Sequence, residues 1–416
     1  MPLLSPTNHR PLAEASAGTE VGGLSVPEGL PPDAALLSDG ERLWPVVDDI
    51  AFLRPGEDLR AAAAQQLSEG RVDGALRLLL ADQDRFAPTP PPSPASLARL
   101  LADDPRRGGR AALDLRDAMR LLSYGPVGDY FAYRWMSPTY LSGLVLLGRA
   151  AQDDRPVLEV ACGIGHYLRA LEQFGFEVAG VDIVFSKLYL ARRFLGVRGR
   201  LVCGDVERGT VLAPADDQSR TVFCHDAFYF FERKRAALEH MRALAGPDGA
   251  LAVGHVHTRG DAHEAGFSES VDDYRARLSE QATLLDDAAL PAVWYGTADY
   301  PEVAASPAAQ AVAWTEGRLR DEPLDWSRLA RLAPEGLRQN PLLTPDGVAW
   351  PSPGWRAEYE ADASAAELGP YHLEALAARP VAEFAHAVGT SRPTSPRQTP
   401  PQQLRDRLLV NLPERW

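Results

Sequence analysis

Residues 156–168 read PVLEVACGIGHYL, residues 178–194 read VAGVDIVFSKLYLARRF, and residues 200–206 read RLVCGDV. Each stretch holds a short apolar run ending in a small or acidic residue, and the first two continue into sequence of helical character. That alternation marks a parallel α/β sheet, whose ligands bind in the crevice at the carboxyl ends of the strands. Glu159 closes the first run, Asp182 the second and Asp205 the third, and Cys162-Gly163-Ile164-Gly165 makes a tight turn into the first helix. Carboxylates at successive strand ends beside a glycine turn suit a ligand with an amine, a ribose and an adenine. They suit a phosphorylated ligand poorly. A dinucleotide-binding turn also needs a third small residue where helix meets strand, and the bulky Leu168 stands there.

This ordered set resembles the class I S-adenosylmethionine-dependent methyltransferases over roughly residues 111–317. Their first motif stands here as Val157-Leu158-Glu159-Val160-Ala161-Cys162-Gly163-Ile164-Gly165, with Ala161 in place of the usual first glycine. The resemblance implies an α/β fold with a Rossmann-like, seven-stranded, mostly parallel sheet, an N-terminal helical lid, and N- and C-terminal extensions. It implies S-adenosyl-L-methionine as cofactor. Glu159, Ala161, Cys162, Gly163 and Gly165 would surround its methionine end, Asp182 and Ile183 the ribose, and Gly204, Asp205 and Val206 the adenine, with His225 close by. The activity implied is methyl transfer to a small or medium-sized organic acceptor, on oxygen, nitrogen or carbon. The alternative is a cofactor-binding or scaffold protein that keeps the fold without turnover.

The candidate chemistry lies at the next two strands. Strand four falls within RTVFCHDAFYFF at 220–231 and strand five within GALAVGHVHTRG at 249–260. His225, His255 and His257 are candidate general bases, needed only if the acceptor must lose a proton. Side chains alternate along a strand, so His255 and His257 share one side. Tyr130, Tyr133 and Arg134, in an aromatic-rich helical stretch just before strand one, are candidate acceptor contacts together with Tyr229. Asp226-Ala227-Phe228-Tyr229 stands where many amino-nitrogen methyltransferases of nucleobases or glutamine carry Asn/Asp-Pro-Pro-Tyr/Phe. No metal is expected, because His225, Asp226, His255 and His257 match no metal-ligand spacing.

Composition narrows the class further. The 416 residues carry a net charge of −14, and Lys187 and Lys234 are the only lysines. With no basic stripe beside an aromatic platform, a nucleic-acid partner is disfavoured. No apolar run approaches the length of a membrane span, and the N-terminus lacks a secretory pattern. Cys162, Cys203 and Cys224 form neither a disulfide framework nor a metal motif, which fits a reduced, cytoplasmic protein.

The chain divides into an N-terminal extension at 1–110, a methyltransferase domain at 111–317 and a C-terminal extension at 318–416. Residues 1–35 read as flexible or irregular, 57–81 as helical, and APTPPPSP at 87–94 as a linker or rigid surface loop. ERLWPVVDDIAFLRP at 41–55 resembles the end of the zinc-ribbon-like modules that accompany some methyltransferases, without the zinc-binding cysteines. Residues 269–285 read as a further helix, with 291–296 and 311–317 as an antiparallel closing pair. Towards the C-terminus, 371–389 is helix-like, 390–402 reads as an exposed linker, and 404–416 as a short docking helix.

Overall fold

The computed structural model describes residues 1–54, 56–86, 89–209, 211–214, 219–260, 266–280, 282–300, 304–344, 346–360 and 399–416. The helix-like segment at 371–389 and most of the linker at 390–402 lie outside these residues.

The fold is built on one sheet. Its strands are β1 (Ala13–Glu14), β2 (Ala34–Ser38), β3 (Leu43–Val47), β4 (Ile50–Phe52), β5 (Val157–Val160), β6 (Val178–Asp182), β7 (Arg200–Cys203), β8 (Thr221–His225), β9 (Ala250–His257), β10 (Thr283–Asp286) and β11 (Ala311–Gly317). Their spatial order is β1-β2-β3-β4-β7-β6-β5-β8-β9-β11-β10. The seven strands from β5 onward form the expected mostly parallel unit. Within it, β7, β6, β5, β8 and β9 run parallel, and β11 is antiparallel to both its neighbours. The order reverses between β5 and β8, the switch point at which such sheets open a crevice.

The sheet has eleven strands because the N-terminal residues extend it. β2, β3 and β4 form an antiparallel meander, and β4 pairs in parallel with β7 through Ile50–Leu201, Ala51–Val202 and Phe52–Cys203. Residues before Ala34, read as flexible or irregular, carry β1 and a short hairpin pairing Glu20–Val21 with Leu24–Ser25, and they are packed: Leu4 N–H donates to Val211 O and Ala213 N–H to Pro2 O. A buried charge cluster fastens this module to the following layers, with Asp48 paired to Arg193 and Arg193 lying 3.3 Å from Asp104.

Helices cover both faces. α1 (Glu57–Ser68) and α2 (Val72–Ala81) follow the meander, and α3 (Pro94–Ala102) and α4 (Leu115–Leu121) lead to α5 (Val127–Tyr133) and α6 (Pro138–Ala150). α7 (His166–Gln173), α8 (Phe185–Arg193) and α9 (Lys234–Ala245) are the crossovers of the parallel strands. Alternate strand residues enter opposite cores: Val157 and Val178 pack with Leu168 and Leu188, and Leu158 and Ala179 pack with Leu238 and Met241. Gly180 explains how the bulky Leu168 is accommodated. A Cβ there would lie 2.6 Å from Leu168 Cδ1 and 2.7 Å from Cys162 Sγ, so the space missing from the helix is supplied by the strand.

Beyond β9 the structure corrects the sequence reading. α10 (Val271–Arg275) starts at a Ser270–Asp273 capping box and ends early, leaving 283–286 to form β10. The PAVWYG segment lies largely in α11 (Leu290–Tyr295), so the closing pair is β10 with β11. Pro291 in the first turn and Gly296 in the left-handed conformation at the exit are helix punctuation that outweighs the strand preference of Val, Trp and Tyr.

In the C-terminal part, α12 (Leu329–Leu332) and β12 (Leu337–Gln339) precede α13 (Pro353–Glu360). Residues 399–402, read as linker, instead open α14 (Pro400–Arg405), because Thr399 and Gln402 make a capping box with proline at the first helical position. The segment at 404–416 docks as a strand, β13 (Leu409–Asn411), on β12. No helix among the described residues is long and apolar enough to cross a membrane.

Candidate active site

The carboxyl ends of β5, β6, β7, β8 and β9 open into one cavity of about 970 Å³, at the upper end of the range for small-molecule sites. Glu159, Ala161, Cys162, Gly163, Asp182, Ile183, Gly204, Asp205, Val206 and His225 all line it. Gly165 stands one step back, at the start of α7 in the left-handed conformation. Ala161 is also left-handed, at φ 55°, a conformation costing a residue with a side chain roughly 1–2 kcal/mol. Asp182 holds the turn: one carboxylate oxygen accepts from Gly163 N–H at 2.8 Å and the other from Val184 N–H at 2.9 Å.

The chemistry of this end fits the implied cofactor. Glu159 is buried, and its Oε2 has no hydrogen-bond partner among the described residues. Burial, with Asp182 nearby, raises its carboxyl well above the usual range. An ammonium group placed there would satisfy that oxygen and ionise the acid. The backbone of the turn approaches closely, since a Cβ at Gly163 would meet Phe131 at 3.1 Å.

The N-terminal residues also reach this end, an approach that no local sequence signal encodes. Asp84, Arg85 and Phe86 line the cavity. Phe86 lies 4.7 Å from the Phe230 ring, and Asp84 accepts from Lys187 Nζ at 2.6 Å. Burial opposes the Lys187 charge, but Asp182 and Asp84 outweigh it and raise its pKa.

At the other end of the cavity, Arg134 organises the polar groups. It is 3% exposed and pairs with Asp226 at 2.9 Å. A guanidinium only donates, so its 3.1 Å contact with His225 makes Nδ1 the acceptor. His225 Nε2 then carries the proton and donates to Ser142 Oγ at 3.1 Å. Burial first, and Arg134 second, hold the His225 pKa down to about 3. This corrects its expected catalytic role. With both ring nitrogens engaged and the charged form suppressed, His225 is a neutral support for Arg134.

Asp226 sits at φ 54° and gathers Tyr130, Tyr229 and Arg134 on its two oxygens. Burial alone would raise its carboxyl, but Arg134, His255 and His257 outweigh burial and hold it below the usual carboxylate range. Tyr130, Arg134 and Tyr229, three of the candidate acceptor contacts, line the cavity. Tyr133 does not, and leaves that set: its ring packs edge-on against Trp416, 5.5 Å away, with the Arg116 guanidinium over it.

His255 and His257 both line the cavity. The β9–β11 register shifts between Val253 and Val256, and His255 takes the left-handed φ of 47°. Asp287 fastens this strained residue twice, accepting from His255 N–H at 2.9 Å and from Nδ1–H at 2.7 Å. Burial disfavours the charged imidazole, but Asp226 and Asp287 outweigh it and push the His255 pKa up to about 9. The His257 ring packs edge-on against Tyr229 at 4.6 Å and His255 at 4.9 Å. Asp287 and the wall residues Trp355 and Tyr359 of α13 were missed by sequence reading. A lone Asp after β10 carries no signal, and α13 lies far along the chain.

Asp226, His255 and His257 bring three possible ligand atoms within 4.8 Å of one another. The Asp226 oxygens already receive Arg134, Tyr130 and Tyr229, and the guanidinium supplies the positive charge a divalent ion would bring. Protein purified without added metal is therefore expected to contain no stoichiometric zinc or iron by elemental analysis. Activity lost on chelation and restored by one specific ion would contradict this.

Residues 158–253 match the family model described as a methyltransferase domain. With this sheet order and this cofactor crevice, the chain carries a class I S-adenosylmethionine-dependent methyltransferase domain, and its cofactor is S-adenosylmethionine. No curated protein sequence matches the chain. Among solved structures it is similar to Haemonchus contortus phosphoethanolamine N-methyltransferase 2, determined with phosphomonomethylethanolamine and S-adenosylhomocysteine, at 14% identity and a TM-score of 0.34. That similarity covers 49% of this chain and 59% of the other, so the chain spans less than two thirds of that relative. A Thermotoga maritima S-adenosylmethionine-dependent methyltransferase is 15% identical over 45% of this chain and 90% of its own, with a TM-score of 0.31.

Proposed function

We propose that this protein transfers the methyl group of S-adenosylmethionine to a small or medium-sized organic acceptor held in the 970 Å³ cavity. The observation that carries this reading is continuity. One cavity joins Glu159, Asp182 and Asp205 at the cofactor end to Tyr130, Arg134, Asp226, Tyr229 and His255 at the other. The cofactor supplies an electrophilic methyl on a sulfonium, and the chain positions the acceptor and excludes water. Glu159 binds the ammonium end, Asp182 the ribose and Asp205 the adenine side. Tyr130, Arg134 and Tyr229 orient the acceptor. An acidic chain with buried free cysteines supports a cytoplasmic setting without nucleic acid.

S-adenosylmethionine or S-adenosylhomocysteine at about 100 times its dissociation constant is expected to stabilise the protein by roughly 2.7 kcal/mol. Thermal shift and calorimetry read this directly, with NADH as the control that should leave the melting temperature unchanged. Radiolabelled methyl transfer into a metabolite extract of the source organism tests turnover. Tight cofactor binding with no transfer to any extract would favour the non-catalytic scaffold.

A further inference from the structure

We infer that the acceptor presents a hydroxyl on a planar aromatic ring and is methylated on oxygen, with His255 Nε2 taking the hydroxyl proton and Asp287 positioning the imidazole. This rests on the proposed methyl transfer and adds its substrate class.

Three observations support it. First, the Nδ1 contact with Asp287 at 2.7 Å fixes the tautomer, leaving Nε2 as the nitrogen His255 can offer to the cavity it lines. Asp287 also holds the His255 backbone in its left-handed conformation. Such a device is superfluous for an aromatic amine, which is uncharged at neutral pH and already has a lone pair. It is superfluous for a carboxylic acid too, which is ionised at neutral pH. A phenol, with a pKa near 10 like that of tyrosine, keeps its proton and needs a base.

Second, among the described residues the acceptor end of the cavity offers no spare anion to an ammonium-bearing acceptor, the unpartnered Glu159 lying at the cofactor end. Asp226 is occupied by Arg134, Tyr130 and Tyr229, and Asp287 is occupied by His255. Third, the walls suit a flat ring: Tyr130, Tyr229, Trp355 and Tyr359 enclose this end of the cavity.

The step balances. The phenolic O–H bond breaks towards His255 Nε2, and an oxygen lone pair forms the new O–CH₃ bond. The S–CH₃ bond breaks, its electron pair staying on sulfur as the neutral thioether. The proton leaves His255 to solvent.

The groups facing His255 are Asp287, Asp226, Arg134, His225 and His257. The two carboxylates raise its pKa to about 9, so the neutral base grows as pH rises and kcat/KM for a phenol should climb to a plateau there. Asp287→Asn removes one raising charge, moving this limb to lower pH.

The test uses the full chain, labelled S-adenosylmethionine, and matched panels of substituted phenols, aromatic amines and aromatic carboxylic acids. Phenols alone should be methylated. Asp287→Asn should lower kcat by roughly 10²–10⁴-fold, displace the pH limb downward and leave cofactor affinity unchanged. A merely structural Asp287 would lower kcat without moving the limb. As a readout without turnover, 4-nitrophenol added to the S-adenosylhomocysteine complex should show phenolate absorption at a pH where the free phenol is protonated. Methylation of amines or acids in preference to phenols overturns the inference, as does the absence of both phenol methylation and the phenolate signal. Failure to bind the cofactor instead removes the methyl-transfer reading beneath it.

Discussion

Replacing Arg134 by methionine is expected to destabilise the protein by about 3–5 kcal/mol, because it strands a buried carboxylate. Arg134 is 3% exposed, and its loss leaves Asp226 without its cationic partner and His225 Nδ1 without its donor. The sign follows from Asp226. Its carboxyl is held below the usual range in the fold, so the ion pair contributes fully above the unfolded carboxylate pKa and is lost as pH falls. Denaturant unfolding of wild type and Arg134→Met should therefore differ most near neutral pH and converge in acid. Equal stabilities at neutral pH would remove Arg134 from the centre of the site. The double variant Arg134→Met/Asp226→Asn should recover part of the loss, since the stranded charge is gone.

Asp182→Ala is expected to weaken cofactor binding by roughly 1.5–3 kcal/mol for each charged hydrogen bond it removes. That corresponds to at least tenfold in affinity. Two separate losses contribute: any contact with ribose hydroxyls, and the anchors at Gly163 N–H and Val184 N–H that shape the turn. Calorimetry with S-adenosylhomocysteine measures the first, and the melting temperature of the free protein measures the second. A folded variant with unchanged affinity would place ribose recognition elsewhere, with the Asp84–Lys187 pair the nearest polar alternative.

The cofactor end was legible because each of its signals is local. An apolar run closed by a carboxylate recurs three times within fifty or so residues, the first followed by a glycine turn, and strand geometry aims all three at one edge. The acceptor end was only partly legible. His255 and His257 followed from the two-residue period, but Asp287 comes from the turn after β10 and Trp355 from α13, joined to them only by folding. His225 stood at the expected position, yet its role depends on Ser142 and Arg134, whose approach no spacing encodes. The errors after β9 have a different origin. In PAVWYG the apolar residues favour a strand while Pro291 and Gly296 punctuate a helix, and the punctuation prevails. The apolar segment at 41–55 was readable as strand-like, whereas β1 and the start of β2 fell in residues read as irregular, and the attachment to β7 was not legible because parallel pairing between distant segments leaves no local trace.

That attachment sets a timetable for the growing chain. Ile50–Phe52 must wait for Leu201–Cys203, about 150 residues later. At synthesis rates of ~5–20 residues per second, the wait is on the order of ten seconds. Throughout it, the meander presents an unpaired strand to the crowded surroundings of the ribosome, where another nascent copy is a competing partner. The exposed strand is three residues long and follows the charged Asp48-Asp49 turn, features that limit such mispairing. Slowed translation between residues 60 and 200 should therefore lower the yield of native protein without changing its final stability.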